Sequence, residues 1–247
     1  MIFVILFITI FINAKSQEKK EIDPSKPTNL YTEVNLNTEY SAGKDNDIYG
    51  IRANISYAIN SDNLLLLEIP FLHNKNTAKT GLNDIRIRYF TAIKRNISTT
   101  LIAIAPFIDV SIPTGKFEDG LGTSCWSISA GSVMGLVFSQ NFAVFPGIGI
   151  IHITKPNSDL IPESYKRTST GVGFQFNASY SFNKSTYTFI NPNPTVLNTD
   201  GKWKTYWTGD VSLNKIFIPN KFKMNISWSP NFTNEVHTLR IGGSFYL

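Results

Sequence analysis

Residues 172–182 read VGFQFNASYSF, and apolar and polar side chains alternate along the whole stretch. One face carries Val172, Phe174, Phe176, Ala178, Tyr180 and Phe182, and the other carries Gly173, Gln175, Asn177, Ser179 and Ser181. Successive side chains of a β-strand point to opposite faces of the sheet, so a period of two predicts a strand with one apolar and one polar face.

The same alternation recurs along the rest of the chain. Clear examples are the runs 48–59, 84–93 and 222–229, and turn-forming clusters such as Asn60-Ser61-Asp62 separate the runs. Helical spacing explains little of the sequence. With the weaker runs included, the chain has room for about twelve strands of roughly ten residues each with their connections. The longer connections are expected around 73–81, 114–121, 155–170 and 194–204.

The composition limits how such a sheet can be arranged. The chain has 247 residues with 18 Phe, 10 Tyr and 4 Trp, which is too aromatic for a disordered chain. Its mean hydropathy of -0.06 does not fit a bundle of apolar membrane helices. An alternating sheet could still bury its apolar face in a sandwich, line a soluble cup, or turn it outward to lipid.

The polar faces favour the third arrangement. They hold mainly Ser, Asn, Gly, Thr and Gln, whereas a face in bulk water should be dense in Lys and Glu. The apolar faces run for several positions without a charge and carry aromatic residues near their ends, as lipid-facing strands do. An open sheet edge in hydrocarbon would leave backbone groups unpaired, so the sheet must close. The sequence predicts an all-β protein, a closed antiparallel transmembrane β-barrel of about twelve strands.

The N-terminal residues resemble an export signal. Residues 2–12 are almost wholly apolar, small residues lie at 14 and 16, and the chain then becomes polar. We expect a signal peptide over 1–16, a polar linker over 17–27 and the barrel over 28–247. No Lys or Arg precedes the apolar run, so a membrane anchor or an incomplete start remains an alternative.

The last strand ends the chain, and Phe245 and Leu247 fall on its apolar face. This ending resembles the signal that the barrel assembly machinery of the outer membrane recognises, so that machinery and outer-membrane lipids are the expected partners. The alternative is a last strand that simply closes a sheet.

Three ordered stretches resemble a known family of outer-membrane barrels. They are 65–71 (LLLEIPF), 81–89 (GLNDIRIRY) and 108–115 (IDVSIPTG), and 121–124 (LGTS) follows with Ser124 where the family has Gly. The family is that of the outer-membrane proteins of the phenol-degradation meta-pathway, which are commonly described as transporters. The resemblance covers about residues 60–150. It implies a barrel fold, an outer-membrane location and, as one option, hydrophobic or aromatic compounds as cargo.

The sequence offers little support for catalysis. His73, His152 and His237 are far apart and lack metal-binding spacing, and no His-x-Ser motif of lipid-acting barrels is present. Cys125 is interpreted as a buried or lipid-facing residue of a strand, with a catalytic thiol as the sharper alternative. The net charge of +5 is dispersed, which argues against nucleic acid as a partner. We therefore expect no enzyme, no metal and no cofactor.

The remaining candidates are charged residues on the polar faces of the predicted strands. They are Arg52, Glu68, Asp84, Arg86, Arg88, Asp109, Asp210 and Arg240. Such charges either brace the wall of a narrow barrel or form a constriction that selects solutes by charge and size. The predicted function is a passive channel or transporter for small solutes of unknown identity. A non-transporting structural or surface-interaction barrel is the alternative, followed by a lipid-modifying enzyme.

Overall fold

A computed structural model describes residues 24–26, 28–44 and 47–247. The predicted signal peptide and most of the predicted linker lie outside these residues. In the described part of the chain, no helix has the length and apolar character needed to cross a membrane.

Twelve antiparallel strands account for most of the described residues. They are β1 (Glu33–Ala42), β2 (Asp47–Ala58), β3 (Asn63–Asn74), β4, β5 (Leu101–Ile112), β6 (Ser127–Val137), β7 (Phe142–Ile153), β8 (Ser169–Asn183), β9 (Thr186–Thr199), β10 (Lys202–Ile218), β11 (Phe222–Asn231) and β12 (Val236–Tyr246). Strand β4 has three segments, Lys79–Leu82, Ile85–Thr91 and Lys94–Arg95.

The sheet closes on itself. Each strand pairs antiparallel with the next, and β1 pairs with β12 from Glu33 opposite Tyr246 to Ala42 opposite His237. Closure pairs the backbone groups that an open edge would leave without partners. The prediction of a closed antiparallel barrel of about twelve strands is confirmed.

The apolar and polar faces of the strands point to opposite sides of the wall. Outward side chains such as Ile51 and Ile108 are 55% and 54% exposed, while the inward Asn37 is only 2% exposed. A soluble protein would bury that many large apolar side chains, so the outer surface suits hydrocarbon. The inner face is polar over most of its length, with an apolar region on the side of β3 to β7.

The two ends of the barrel differ. The start of β1 and the end of β12 lie at one end, the terminal end, together with short connections such as 59–62 and 138–141. The long connections 113–126 and 154–168 lie at the opposite end, the loop end, and each contains one turn of 3-10 helix.

Two of the four predictions of long loops are wrong. Residues 194–204 form the ends of β9 and β10, joined by a tight turn at Asp200-Gly201, where φ is 52° and 80°. Such φ values belong to the hairpin turns that favour Asp-Gly, a signal that the sequence contains. Residues 73–81 hold a short turn between β3 and β4. The predicted loops at 114–121 and 155–170 lie in the two long connections.

Candidate functional site

A continuous chain of ion pairs lies on the inner wall, near the middle of the barrel. On β5, Asp109 accepts hydrogen bonds from Arg86 Nε at 2.8 Å and from Arg88 Nε at 2.6 Å. Arg86 also donates to Glu68 Oε1 at 3.3 Å through Nη1. The other carboxylate oxygen of Glu68 accepts from Arg52 Nη1 at 3.2 Å, which carries the chain from β5 to β2.

The chain continues onto the last three strands. Arg52 Nε donates to Glu39 at 2.6 Å, and Arg240 Nε donates to the same carboxylate at 2.9 Å. Arg240 also donates to Ser229 Oγ at 2.8 Å, and Ser229 Oγ donates to Asp210 at 2.7 Å. The side chain of Glu39 is only 2% exposed, and it bridges two arginines.

We call this set the charged belt. Its members are Glu39, Arg52, Glu68, Arg86, Arg88, Asp109, Asp210 and Arg240. They come from seven neighbouring strands, β10 and β12 through β5, with Ser229 of β11 as the polar link. The belt contains as many carboxylates as guanidinium groups, so its charges are balanced.

Two residues distinguish the belt from the predicted set. Glu39 belongs to the charged belt, although it is absent from the set of candidates predicted from the sequence. Its position on the polar face of β1 is the sequence feature that could have identified it. The strand register then sets Glu39 directly opposite Arg240, which a single strand's pattern does not reveal.

Asp84 was expected on the lumen wall, and the structure corrects this expectation. It lies in the break of β4 at the loop end and accepts hydrogen bonds from Gly115 N at 3.1 Å, Thr123 N at 2.8 Å and Thr123 Oγ1 at 2.7 Å. A carboxylate that accepts several N–H and O–H groups fixes a loop effectively. Asp84 therefore holds the connection 113–126 against the barrel.

Cys125 lies in this same connection, just before β6, and it is half-buried. The prediction of a strand position for this residue was wrong. Burial and the nearby carboxylate of Asp84 both raise the pKa of the Cys125 thiol. A raised pKa keeps the thiol protonated, which is unfavourable for a nucleophile.

We expect Asp84→Ala to loosen the connection 113–126 without unfolding the barrel. The loss of hydrogen bonds to a charged group costs about 2 kcal/mol, or on the order of thirtyfold in local opening. Trypsin cleavage after the exposed Lys116 should accelerate accordingly. Glu118→Gln, which removes an exposed charge from the same connection, is the control. Equal cleavage rates in the two variants would refute the anchoring role of Asp84.

The belt separates luminal cavities of different character. Toward the loop end, a polar vestibule of about 720 Å³ is lined by residues such as Ser111, Ser127, Thr195 and Thr208. Toward the terminal end, a polar cavity of about 360 Å³ lies beside Asn35 and its neighbours. An apolar chamber of about 310 Å³ also lies there, next to β3–β7.

The wall opposite the belt has small residues. Strands β6 to β8 carry no member of the belt, and Gly147, Gly149 and Gly173 border the vestibule there. Side chains of neighbouring strands fill the space beside these glycines; for example, a Cβ at Gly173 would lie 2.6 Å from Ile151 Cδ1. The open part of the lumen therefore lies between the belt and this wall.

Residues that precede β1 reach across the terminal end of the lumen. We call the described residues 24–26 and 28–32 the N-terminal segment. Ser179 Oγ on the inner face of β8 donates to the backbone oxygen of Ser25 at 2.6 Å. Arg95 of β4 donates to the backbone oxygen of Thr28 at 2.9 Å. The segment therefore runs from β1 past β4 to the far side of the barrel.

The segment joins β1 through a firmly held residue. Thr32 is 3% exposed, its Oγ1 accepts from Ala58 N at 3.2 Å, and its backbone oxygen accepts from Leu247 N at 3.0 Å. Tyr31 packs edge-on against Tyr246, with ring centroids 5.3 Å apart. Sequence reasoning assigned residues 17–27 to a linker, and the period of two gave no sign that the adjoining residues turn inward.

The histidines are separate from one another. His73 and His152 hydrogen-bond Thr80 and Thr170 at 2.7 Å and 2.8 Å, and His237 stacks on Trp228. Among the described residues, no group of three or more His, Cys, Asp or Glu side chains is arranged to hold a metal ion.

A closed barrel with an apolar outer face and a polar lumen is the architecture of outer-membrane β-barrels. Among solved structures, the chain is similar to the COG4313 outer membrane channel from Pseudomonas putida F1, with a TM-score of 0.63 and 15% identity over 92% of this chain and 100% of that one. It is also similar to the KdgM porin, with a TM-score of 0.51 and 10% identity over 86% of this chain and 99% of that one. These are channels rather than enzymes. No family model and no curated protein matches the chain.

Proposed function

We propose that the protein is a passive channel for small solutes in the bacterial outer membrane. The observation that carries the proposal is the partly open lumen: a vestibule of about 720 Å³ beside a belt whose charges are paired along one side only. A barrel braced along part of its circumference keeps its shape and leaves a path on the other side. The similarity in fold to two outer-membrane channels supports the same role.

The outer surface supports a membrane location. Its side chains are apolar and exposed over the middle of the wall, and aromatic residues such as Trp203 and Phe217 lie near its ends. In this proposal residues 1–16 direct export and are removed, 17–27 remain as a linker, and 28–247 form the barrel. Outer-membrane lipids surround it, and Phe245 and Leu247 present the terminal strand to the assembly machinery.

The family resemblance in residues 60–150 supports a more specific proposal about the solute. A barrel of the phenol-degradation meta-pathway type would carry hydrophobic or aromatic compounds.

The belt would act in this channel as both brace and constriction. The side chain of Arg86 is 41% exposed although it pairs with Asp109 and Glu68, so it borders the path of a solute. Arg88 is 21% exposed and also pairs with Asp109. Balanced charges give weak ion selectivity, which a change in either sign should disturb.

Conductance in planar bilayers tests the proposal. Purified protein should produce discrete openings, and Arg86→Ser with Arg88→Ser should shift selectivity severalfold toward cations, because Asp109 and Glu68 lose their partners. Lys202→Ser, which removes an exposed charge from the first residue of β10, should leave selectivity unchanged. A barrel that stays closed at all voltages would refute the channel. If the variant with Arg86→Ser and Arg88→Ser had unchanged selectivity but lower stability, the belt would brace the wall without selecting ions.

A non-transporting barrel is the second candidate, because the N-terminal segment crosses the terminal end of the lumen. A fixed segment at that position would obstruct passage. Persistent closure in bilayers, together with normal folding, would favour this candidate.

A further inference from the structure

A groove lies on the outer surface of the wall at the loop end, across β7 to β10 and the end of the connection 154–168. Its volume is about 570 Å³, and none of the described residues that line it also lines the vestibule, the polar cavity or the apolar chamber. Ile150 and Trp203 line the groove and are 66% and 67% exposed on the side of the wall that faces the membrane. The groove is therefore separate from any path through the lumen.

Strand register sets a polar row across the groove. Thr170 of β8 lies opposite His152 of β7 on one side and Asn198 of β9 on the other. Asn198 in turn lies opposite Trp203 of β10. Neighbouring strands are about 4.8 Å apart, so the row extends for roughly 14 Å along the loop end of the wall.

An apolar row lies two residues nearer the middle of each strand. Val172 lies opposite Ile150 of β7 and Val196 of β9. Residues two apart on a strand point to the same face and are separated by about 7 Å. The outer surface thus changes from polar to apolar over one step of depth, as it should where lipid head groups meet hydrocarbon.

Trp203 gives the groove an open aromatic surface. Among the described residues, its ring takes part in no aromatic pair, whereas the ring of Trp228 on β11 stacks on His237 and meets Phe232 edge-on. An indole ring combines an apolar face with an N–H donor. The free face of Trp203 is therefore available to a ring that lies in the groove.

The polar groups beside Trp203 include both donors and acceptors. Asn198 Oδ1 accepts a hydrogen bond from Gly201 N at 3.0 Å, which orients the amide and leaves Nδ2 to donate. One oxygen of the Asp200 carboxylate accepts from Arg167 Nε, yet the Asp200 side chain is still 61% exposed. The hydroxyl groups of Thr168 and Thr170 complete the set.

This mixture suits a sugar better than a phosphate group. A pyranose ring presents C–H groups on its face, which can stack on an indole, and hydroxyl groups around its edge, which both donate and accept hydrogen bonds. The head group of an anionic phospholipid offers mainly acceptors, so it would meet the Asp200 carboxylate unfavourably. In the groove, Arg167 is the nearest cation, and it already pairs with Asp200.

We propose that this groove binds a glycolipid of the outer leaflet. Its saccharide head group would stack on Trp203 and hydrogen-bond Asn198 and Asp200, and an acyl chain would lie along Ile150 and Val172. The loop end faces the cell exterior, because outer-membrane barrels have short periplasmic turns and longer extracellular loops. The proposal rests on the location in the outer membrane and not on passage through the lumen.

Native mass spectrometry of the full exported chain in detergent micelles tests the site. The probe is monophosphoryl lipid A, a glucosamine disaccharide with acyl chains, and phosphatidylglycerol is the comparison lipid without a sugar. One lipid A should bind more tightly than phosphatidylglycerol. Trp203→Ala should weaken binding of lipid A about tenfold through the loss of stacking and apolar contact.

Two further variants separate the groove from the rest of the aromatic girdle. Asn198→Asp keeps the acceptor for Gly201 N and removes the amide donor, so it should weaken binding of lipid A about fivefold. Trp228→Ala removes an outward tryptophan outside the groove and should leave binding unchanged. The migration change of each variant on gels should show that the barrel has folded.

The outcomes also separate this inference from the proposed channel. If lipid A binds no more tightly than phosphatidylglycerol, or if Trp228→Ala weakens its binding as much as Trp203→Ala does, the groove is only part of the general lipid-facing surface. Wild-type affinity in both Trp203→Ala and Asn198→Asp would likewise overturn the proposal. If lipid A binds as expected while bilayers remain closed, the glycolipid site stands and the channel does not.

Discussion

Removal of residues 17–31 is expected to raise single-channel conductance several-fold. This deletion takes away the N-terminal segment up to Tyr31 and keeps Thr32, which is bonded to Ala58 and Leu247. The segment crosses the terminal end of the lumen and lines the apolar chamber, so its removal widens the narrow end of the path. The resistance of a pore is dominated by its narrowest part. We therefore expect a large change from a deletion that leaves every strand in place.

Loss of a single contact of the N-terminal segment should have a smaller effect on conductance than deletion of the whole segment. Each neutral hydrogen bond contributes about 1 kcal/mol, so the loss of one should populate an open state without making it permanent. Ser179→Ala removes the hydrogen bond to Ser25 and should increase the frequency of large openings. Ser181→Ala, at the next inward position of β8, is the matched control. Equal conductance of the deletion variant and the wild type would show that the segment does not obstruct the lumen.

The period of two predicted the faces of the strands well. It placed Arg52, Glu68, Asp109, Asp210 and Arg240 on the inner wall because the face of a residue is a local property. Which charges meet is a property of register between strands distant in sequence. The pair formed by Glu39 and Arg240 spans almost the whole chain and depends on barrel closure. A single strand's pattern contains no such information.

The position of a residue along the barrel axis was harder to predict than its face. By the alternation of side chains along its strand, Asp84 should point into the lumen. The break in β4 instead places it at the loop end. Phe90 shares a face with Arg86 and Arg88, yet it borders the apolar chamber because it lies nearer the terminal end. Depth along the axis follows from strand tilt and stagger, which the sequence of one strand does not specify.

The belt provides the largest expected effect on stability. We expect Glu39→Gln to destabilise the barrel by about 3–5 kcal/mol, the usual cost of leaving buried charges without their partner. Glu39 is 2% exposed and holds both Arg52 and Arg240, so its neutralisation affects two guanidinium groups at once. The migration change on gels that marks barrel unfolding should occur at a lower temperature, and the urea midpoint should fall.

The same substitution should change selectivity, because the belt then has one more guanidinium group than carboxylates and the lumen becomes more favourable for anions. Glu163→Gln is the control: Glu163 also forms an ion pair, with Lys166 at 2.7 Å, but it is 77% exposed. An exposed pair contributes roughly 1 kcal/mol or less, so this variant should melt like the wild type. If Glu39→Gln melted like Glu163→Gln, the belt would not brace the wall, and its charges would matter for passage alone.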